Sequence, residues 1–105
     1  MIAKVRLLLD YGADLVWIYD ENDVLIDNAL PPEWRDDEEL DDARMAVMDM
    51  YESFFINNKH EFVYVGPKDE EARRRFRSLA ERAVAMVEER STGRYAVQND
   101  IDRET

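Results

Sequence analysis

The stretch that decides the fold is A-K-V-R-L-L-L-D-Y-G-A-D-L-V-W-I-Y, residues 3–19. In residues 3–9 charged side chains alternate with apolar ones, which is the two-residue period of a half-buried strand. Residues 10–14 then supply the polar and small residues of a turn. The β-branched and aromatic run of residues 15–19 predicts a second strand. The chain is therefore expected to begin with a β-hairpin.

The strand pattern continues as far as Pro31. The polar residues 20–23 predict a second turn, and residues 24–26 predict a third strand. Pro31 and Pro32 cannot continue a helix or a central strand, so the series of strands is expected to end at about Asn28.

A helical period begins near Asp37. The apolar residues at helical spacing after it are Leu40, Ala43, Val47, Tyr51 and Phe54, widened by Met48 and Phe55. The polar residues 57–59 are predicted to end this helix, and residues 62–65 are predicted to form a strand. Pro67 is predicted to open a second helix that stops before Gly93.

These elements predict one α+β domain at residues 1–92, in the order β-β-β-α-β-α. An antiparallel sheet of three to four strands, with two helices packed on one face, is the simplest layered arrangement of them. Residues 93–105 are predicted to be a polar C-terminal tail or a short strand. A chain of 105 residues with 46% hydrophobic residues is long and apolar enough to bury a core.

The composition excludes several functional classes. The chain has no cysteine, which excludes disulfides and thiolate-based catalytic or metal sites. No apolar run predicts a signal peptide or a membrane span, so a cytoplasmic location is expected. The net charge of −11 falls entirely in residues 1–66, which hold 16 acids and 5 bases. A negative field disfavours nucleic acid and anionic membranes and predicts a basic protein as the partner.

The densest charge lies in W-R-D-D-E-E-L-D-D-A-R, residues 34–44. Acids near a helix N-terminus each gain about 0.3 to 1 kcal/mol from the helix dipole, which explains part of this run. The rest is interpreted as a docking surface, with solubility alone as the alternative; Trp34 is expected either to anchor a partner or to cap the core. The predicted partner-binding residues are Asp36, Asp37, Glu38, Glu39, Asp41, Asp42, Trp34, Asp20, Glu21 and Asp23.

No catalytic residue, cofactor or metal ligand is predicted, and the protein is not expected to be an enzyme. The only histidine, His60, has no nucleophile or second histidine beside it. Residues 20–27 fail as a calcium loop, because Val24 and Leu25 stand where a ligand and a glycine are needed. The arginines of residues 73–77 follow acids at residues 69–71 at a spacing that predicts ion pairs along a helix, in preference to nucleic-acid contact.

Three segments carry a resemblance to known proteins: D-Y-G-A-D-L-V-W-I-Y-D at residues 10–20, D-N-A-L-P-P-E-W at residues 27–34, and M-Y-E-S-F-F-I-N-N at residues 50–58. Together they resemble a group of small acidic bacterial proteins with an N-terminal D-Y-x-x-x-x-L-W hairpin. Val16 stands where that outline has leucine, and the predicted strand at residues 62–65 is not part of it. These proteins are similar in size and charge to immunity proteins of polymorphic and contact-dependent toxin systems.

The resemblance implies a protein that binds and blocks a cognate toxin, often a basic nuclease. The leading hypothesis is thus a non-enzymatic immunity-type protein whose acidic surface neutralises a basic toxin domain. The alternative is a DNA mimic that inhibits a DNA-binding regulator or a defence enzyme. The sequence predicts no oligomeric state.

Overall fold

The computed structural model describes residues 1–101, and it contains two helices, six short strands and one turn of 3₁₀ helix within them. The elements in chain order are β1 (Ile2–Leu7), β2 (Val16–Asp20), β3 (Leu25–Asp27), the 3₁₀ turn (Pro32–Trp34), α1 (Glu38–Glu52), β4 (Phe55–Asn57), β5 (Phe62–Tyr64), α2 (Glu70–Ser91) and β6 (Ala96–Asn99).

Four strands form the main sheet in the order β3-β2-β1-β6. The first three are antiparallel neighbours, as the turn residues between them predict. β6 instead runs parallel to β1, with Lys4 opposite Ala96 and Leu7 opposite Asn99. The predicted α+β class is confirmed, but the sheet is mixed and not wholly antiparallel. A parallel neighbour needs a crossover, and α2 provides it by returning the chain to the end of the sheet where β1 begins.

One face of this sheet forms one side of the hydrophobic core. Val5 and Leu7 on β1 are fully buried, whereas the alternate residues Lys4 and Arg6 are only half-buried on the opposite face. The helices cover the buried face. Their core residues are Leu40, Ala43, Val47 and Tyr51 from α1, and Phe76, Ala80, Ala83, Met86 and Val87 from α2.

Both helices begin at an aspartate that caps them. The side chain of Asp37 accepts a hydrogen bond from the Leu40 amide, and that of Asp69 accepts one from the Ala72 amide. The second helix was predicted to begin at about Pro67 and begins three residues later, at Glu70, because the cap at Asp69 fixes its start. Within residues 1–101 neither helix has the length and apolar character needed to cross a membrane.

The region after α1 differs most from the prediction. The helix ends at Glu52, and Phe55 belongs to β4 and not to the helical stripe. β4 pairs with β5, so the predicted strand at residues 62–65 forms a separate two-stranded hairpin and does not join the main sheet. Aromatic packing explains the change: the Phe55 and Phe62 rings stack at 5.3 Å, and Tyr11 contacts both rings.

The predicted tail contains the last strand. Ala96–Asn99 forms β6, and Ile101 is buried in the core just beyond it. Residues 102–105 of the predicted tail lie outside the described residues.

The core assignment predicts a large effect at Phe76, which is buried and packs edge-on against Phe54 at 5.1 Å. Replacing Phe76 by alanine should lower the free energy of unfolding by about 3 to 5 kcal/mol, because it leaves a cavity between α1 and α2. Urea unfolding followed by circular dichroism measures this loss. The control Met45→Ala, on the solvent side of α1, should change stability by less than about 0.5 kcal/mol; equal losses would contradict the packing.

Candidate functional site: the acidic outer surface of α1

The predicted acidic segments lie at the same end of the main sheet. The β2–β3 turn reaches the start of β1, where Lys4 forms an ion pair with Asp23. Lys4 also lies opposite Ala96, and the preceding residue, Tyr95, packs edge-on against Trp34 at 5.8 Å. The turn and the segment that leads into α1 therefore belong to one end of the molecule.

Several of the predicted acids have a structural partner. Asp37 caps α1 and also accepts hydrogen bonds from the Arg90 guanidinium at the end of α2. Asp41 pairs with Arg44, which also reaches Asp14 in the β1–β2 loop. These carboxylates hold elements together, so their charge is largely matched inside the protein.

The acids of the β2–β3 turn are also engaged. The Asp20 carboxylate accepts hydrogen bonds from the amides of Asn22 and Val24, at 2.8 and 3.0 Å, and so shapes the turn. Asp23 has a left-handed backbone with φ of +63° and pairs with Lys4. Glu21 is exposed, and its carboxylate lies 3.9 Å from the N-terminal amine.

Trp34 occupies a core position. Its ring is buried against Tyr95, while Tyr95 donates its hydroxyl hydrogen bond to Glu33. Of the two roles expected for Trp34, the structure places the ring where it caps the core. A partner could touch it only after displacing these neighbours, so Trp34 is not part of the candidate site.

What remains is a stripe along the outer side of α1, formed by Glu38, Asp42, Met45, Asp49 and Glu52. All five are exposed. Their spacing of four, three, four and three residues places them within a sector of about 80° and along about 21 Å of helix. None of its four carboxylates forms an ion pair with any residue between 1 and 101. We call these five residues the acidic stripe.

Helix stability does not account for the whole acidic stripe. α1 contains six acids and one base, Arg44, whose guanidinium is already engaged by Asp14 and Asp41. Glu38 lies near the positive end of the helix dipole and is favourable there. Asp49 and Glu52 lie near the negative end, where no basic residue occupies the last turn. A carboxylate in that position is unfavourable, so local structure gives no reason for it.

The centre of the acidic stripe is apolar. Met45 is 39% exposed and lies between Asp42 and Asp49 on the same side of the helix. A flexible apolar side chain ringed by charged ones resembles the arrangement of protein interfaces, in which methionine is enriched at the centre and charge at the rim.

The sequence prediction found part of this surface and missed the rest. It identified Glu38 and Asp42 but not Met45, Asp49 or Glu52. The sequence contains a signal for the missed residues, because they occupy the helical positions opposite the buried apolar residues that begin at Leu40. The densest run of acids in the sequence, residues 36–42, does not coincide with this outward helical series. Asp36 and Glu39, which were also predicted, are exposed beside the start of the acidic stripe.

The arginines of α2 form a second charged surface. Arg73, Arg74, Arg75 and Arg77 are exposed. The predicted ion pairs four residues apart do not form; Arg73 instead contacts Glu70, three residues before it, at 3.6 Å. The N-terminal half of α2 is therefore basic, in contrast to α1.

No cluster that suggests chemistry is found in the described part of the chain. His60 is exposed in the loop between β4 and β5. Within residues 1–101 no group of three or more acidic or histidine side chains is placed to hold a metal ion. The acidic stripe is the surface feature that calls for a functional explanation.

The Asp37–Arg90 contact predicts a pH dependence of stability. The Arg90 guanidinium and the Leu40 amide donate to Asp37 and hold the pKa of its carboxyl below the ordinary value. Such a group stabilises the fold above its unfolded-state pKa, and this contribution is lost as the pH falls through the folded-state pKa. Asp37→Asn keeps a capping side chain but removes the charge, so it should be less stable than the parent at neutral pH.

This difference should shrink as the pH falls below about 4 and vanish in stronger acid, when the parent carboxyl is also protonated. Urea unfolding at several pH values measures it. Asp36→Asn is the matched control, since Asp36 has no ion pair with a described residue and should leave stability unchanged. A deficit for Asp37→Asn that is constant across the pH range would exclude the ion pair as its cause.

The chain was compared with protein-family models, with curated proteins and with solved structures. None of the three comparisons found a match. The geometry and charge of the acidic stripe are therefore the basis on which a function is proposed.

Proposed function

We propose that the protein is a non-enzymatic, immunity-type binding protein that neutralises a basic toxin domain through the acidic stripe of α1. The observation that carries this proposal is the row of four exposed carboxylates that form no ion pair with the described residues 1–101, two of them placed where the helix dipole disfavours them. The resemblance to small acidic bacterial proteins supports the same role, in the bacterial cytoplasm.

Charge makes a basic protein the best-suited partner. Four carboxylates along about 21 Å of rigid helix give a directional negative field that attracts a positive surface from a distance. The same field repels nucleic acid and anionic lipid. Complementary charge mainly raises the rate of association and selects the partner, and both effects weaken as salt screens the field.

Met45 adds apolar contact area, which the carboxylates of the acidic stripe do not provide. Exposed ion pairs contribute only about 0.2 to 1 kcal/mol each, so a purely acidic surface would bind weakly. An apolar side chain in the middle of the acidic stripe can enter a pocket on the partner and exclude water from the surrounding ion pairs. We assign Met45 the role of the central anchor and the carboxylates the role of the rim.

The β2–β3 turn lies at the same end of the main sheet as the segment that leads into α1. Glu21 is exposed there, and Asp20 and Asp23 keep the turn in one conformation through their hydrogen bonds and the Lys4 pair. In this proposal Glu21 is a secondary contact, and the two aspartates position it.

Capture of the partner is the first experiment. The tagged protein is used to bind proteins from the native host, and the bound fraction is eluted with increasing salt and identified by mass spectrometry. The proposal expects one basic protein whose toxic activity is blocked when the two are mixed. Release of many unrelated DNA-binding proteins would favour DNA mimicry instead, because a mimic competes with DNA for the binding sites of several unrelated proteins, whereas an immunity protein is selective for one toxin.

The decisive variant removes the charge of the acidic stripe without changing its shape: Glu38→Gln, Asp42→Asn, Asp49→Asn and Glu52→Gln together. Affinity for the captured partner should fall by about thirtyfold, mostly through slower association, because each of the four carboxylates contributes about 0.5 kcal/mol. Stopped-flow or surface plasmon resonance measures both rate constants.

The matched control removes four exposed acids from α2: Glu71→Gln, Glu81→Gln, Glu88→Gln and Glu89→Gln. Its net charge equals that of the first variant, so any difference reports position and not total charge. Equal loss in both variants would mean that the overall charge acts without a defined site. No loss in the first variant would refute the proposal.

A further inference from the structure

β6 is an edge strand of the main sheet. β1 lies on one side of it, and no strand formed by residues 1–101 lies on the other side. An edge strand leaves a row of backbone N–H and C=O groups without a strand partner, and such groups can pair with an extended segment of another molecule.

The hydrogen bonds between β6 and β1 determine which backbone groups are open at this edge. The amide of Asp100 donates to the carbonyl of Leu7 at 2.8 Å, and Leu7 lies opposite Asn99. In a parallel pair alternate residues face the neighbouring strand, so Asp100 and Gln98 face β1. The N–H and C=O groups of Val97 and Asn99 therefore face away from it. No other residue within 1–101 forms a backbone hydrogen bond with them there.

β6 lacks the features that usually protect an edge strand. Charged side chains, proline, bulges and a short strand all discourage pairing with another molecule. The sequence of β6 is A-V-Q-N, and its register with β1 is regular. At the opposite edge of the sheet, β3 has three residues and an irregular register, and Asp23 and Asp27 flank its apolar residues. β6 is therefore the edge that is open to an added strand.

A groove of about 570 Å³ lies between the end of β6 and the adjacent side of α2. Its apolar lining comes from Ala80 and Ile101, which are buried, from Val84, which is half-buried, and from Ala85. Asn99 lines the groove from the strand. A strand added to β6 lies about 4.8 Å from it, and every second side chain of that strand faces the same side of the sheet as α2. The groove is thus placed to receive such a side chain.

The charges at the groove determine which segment fits. Glu81 and Glu88 line it, and neither forms an ion pair with any residue from 1 to 101. The one base in the lining is Arg77. The two glutamates are two helical turns apart, about 10.5 Å on one side of α2, and Val84 lies between them in sequence.

An extended segment matches this spacing. Residues four apart in a strand share a face and are separated by about 13 Å. A segment with the pattern basic-x-apolar-x-basic therefore brings one base to each glutamate and the apolar residue to Val84. A second copy of this chain fits less well, because β6 has no base to offer and the chain has a net charge of −11.

We infer that the open edge of β6 and the adjacent groove form a second binding site, which takes a basic-x-apolar-x-basic segment of another protein as an added antiparallel strand. The backbone of the segment pairs with Val97 and Asn99, its apolar side chain enters the groove, and its bases contact Glu81 and Glu88. The site lies away from the acidic stripe and does not rest on the proposed function.

Peptide titration of the ¹⁵N-labelled protein tests this inference. The probe is the capped heptapeptide T-K-T-V-T-K-T, and the control is T-E-T-V-T-E-T, which has the same central valine and the opposite charge. The lysine peptide should shift the amide resonances of β6 and slow hydrogen exchange at the Val97 and Asn99 amides. The glutamate peptide should do neither. Unchanged exchange at both amides with about 5 mM lysine peptide would overturn the inference.

Backbone methylation of the peptide separates strand pairing from attraction between charges. Val97 packs against the core, so the central valine of the peptide shares its face only when it lies opposite Val97 or Asn99 and bonds to that residue. N-methylation of the valine should weaken binding at least about tenfold, because it removes this donor and adds a methyl group at the edge. N-methylation of the neighbouring threonine, whose N–H faces solvent, should change affinity less than about twofold. Equal losses would exclude an added strand.

Two charge variants locate the groove. Glu81→Gln with Glu88→Gln should raise the Kd for the lysine peptide by about fivefold. The matched control is Glu71→Gln with Glu89→Gln, which removes two exposed acids of α2 outside the groove and should leave the Kd unchanged. Equal effects of the two pairs would mean that net charge alone attracts the peptide, and would overturn the assignment.

Two further measurements exclude other occupants. Protection of the Val97 and Asn99 amides that rises with protein concentration in the absence of peptide would assign the edge to a second copy and overturn the inference. The variant that neutralises the four carboxylates of the acidic stripe should bind the lysine peptide as the parent does. Loss of peptide binding in that variant would place the peptide on α1, so failure of this inference and failure of the proposed function are distinguishable.

Discussion

The structure depends on burial of the single apolar face of the main sheet. β1 is an inner strand of the sheet, and its residues Val5 and Leu7 are fully buried. Because only one face is apolar, both helices must pack there and against each other. Each helix consequently has one side fixed inward and the opposite side fixed towards solvent. The acidic stripe therefore faces solvent because the opposite side of α1 is packed in the core, and its direction does not depend on the acids themselves.

The carboxylates divide into two groups with different physical roles. One group lies where elements meet, and arginine or lysine neutralises it: Asp37 with Arg90, and Asp23 with Lys4. The other group lies along the outside of α1 and has no such partner within the described residues. A protein that needed charge only for solubility would gain as much from acids placed near a helix N-terminus. Asp49 and Glu52 lie near the C-terminal end of α1, where the helix dipole disfavours negative charge. Their position therefore favours a binding role over solubility alone.

The sequence predicted those features that depend on local pattern. The strand pattern of residues 3–19 predicted the hairpin, the helical period from Leu40 predicted α1, and the restart at about Pro67 predicted α2 to within three residues; the α+β class is confirmed. Features that depend on distant contacts were missed. β6 pairs with β1 across more than ninety residues of chain, and no local period encodes that partner. Phe54 continues the helical series by spacing, yet it follows the end of α1 and packs against Phe76.

The candidate site was predicted in part for a related reason. A run of adjacent acids is conspicuous in a sequence, but a helix separates adjacent residues by about 100° and distributes them around its axis. Asp41 and Asp42 are neighbours in sequence, yet the first contacts Arg44 and the second is open to solvent. Only the fold separates the carboxylates that hold the protein together from those that are available to a partner.

The central claim is that the acidic stripe of α1 is the partner-binding surface. The most direct test is a heteronuclear NMR titration of the ¹⁵N-labelled protein with its captured basic partner. The account predicts that the amide resonances of Glu38, Asp42, Met45, Asp49 and Glu52 shift or broaden first, while those of the β4–β5 hairpin and the exposed side of α2 stay unchanged. Binding that perturbs those other surfaces and leaves α1 unaffected would contradict the account.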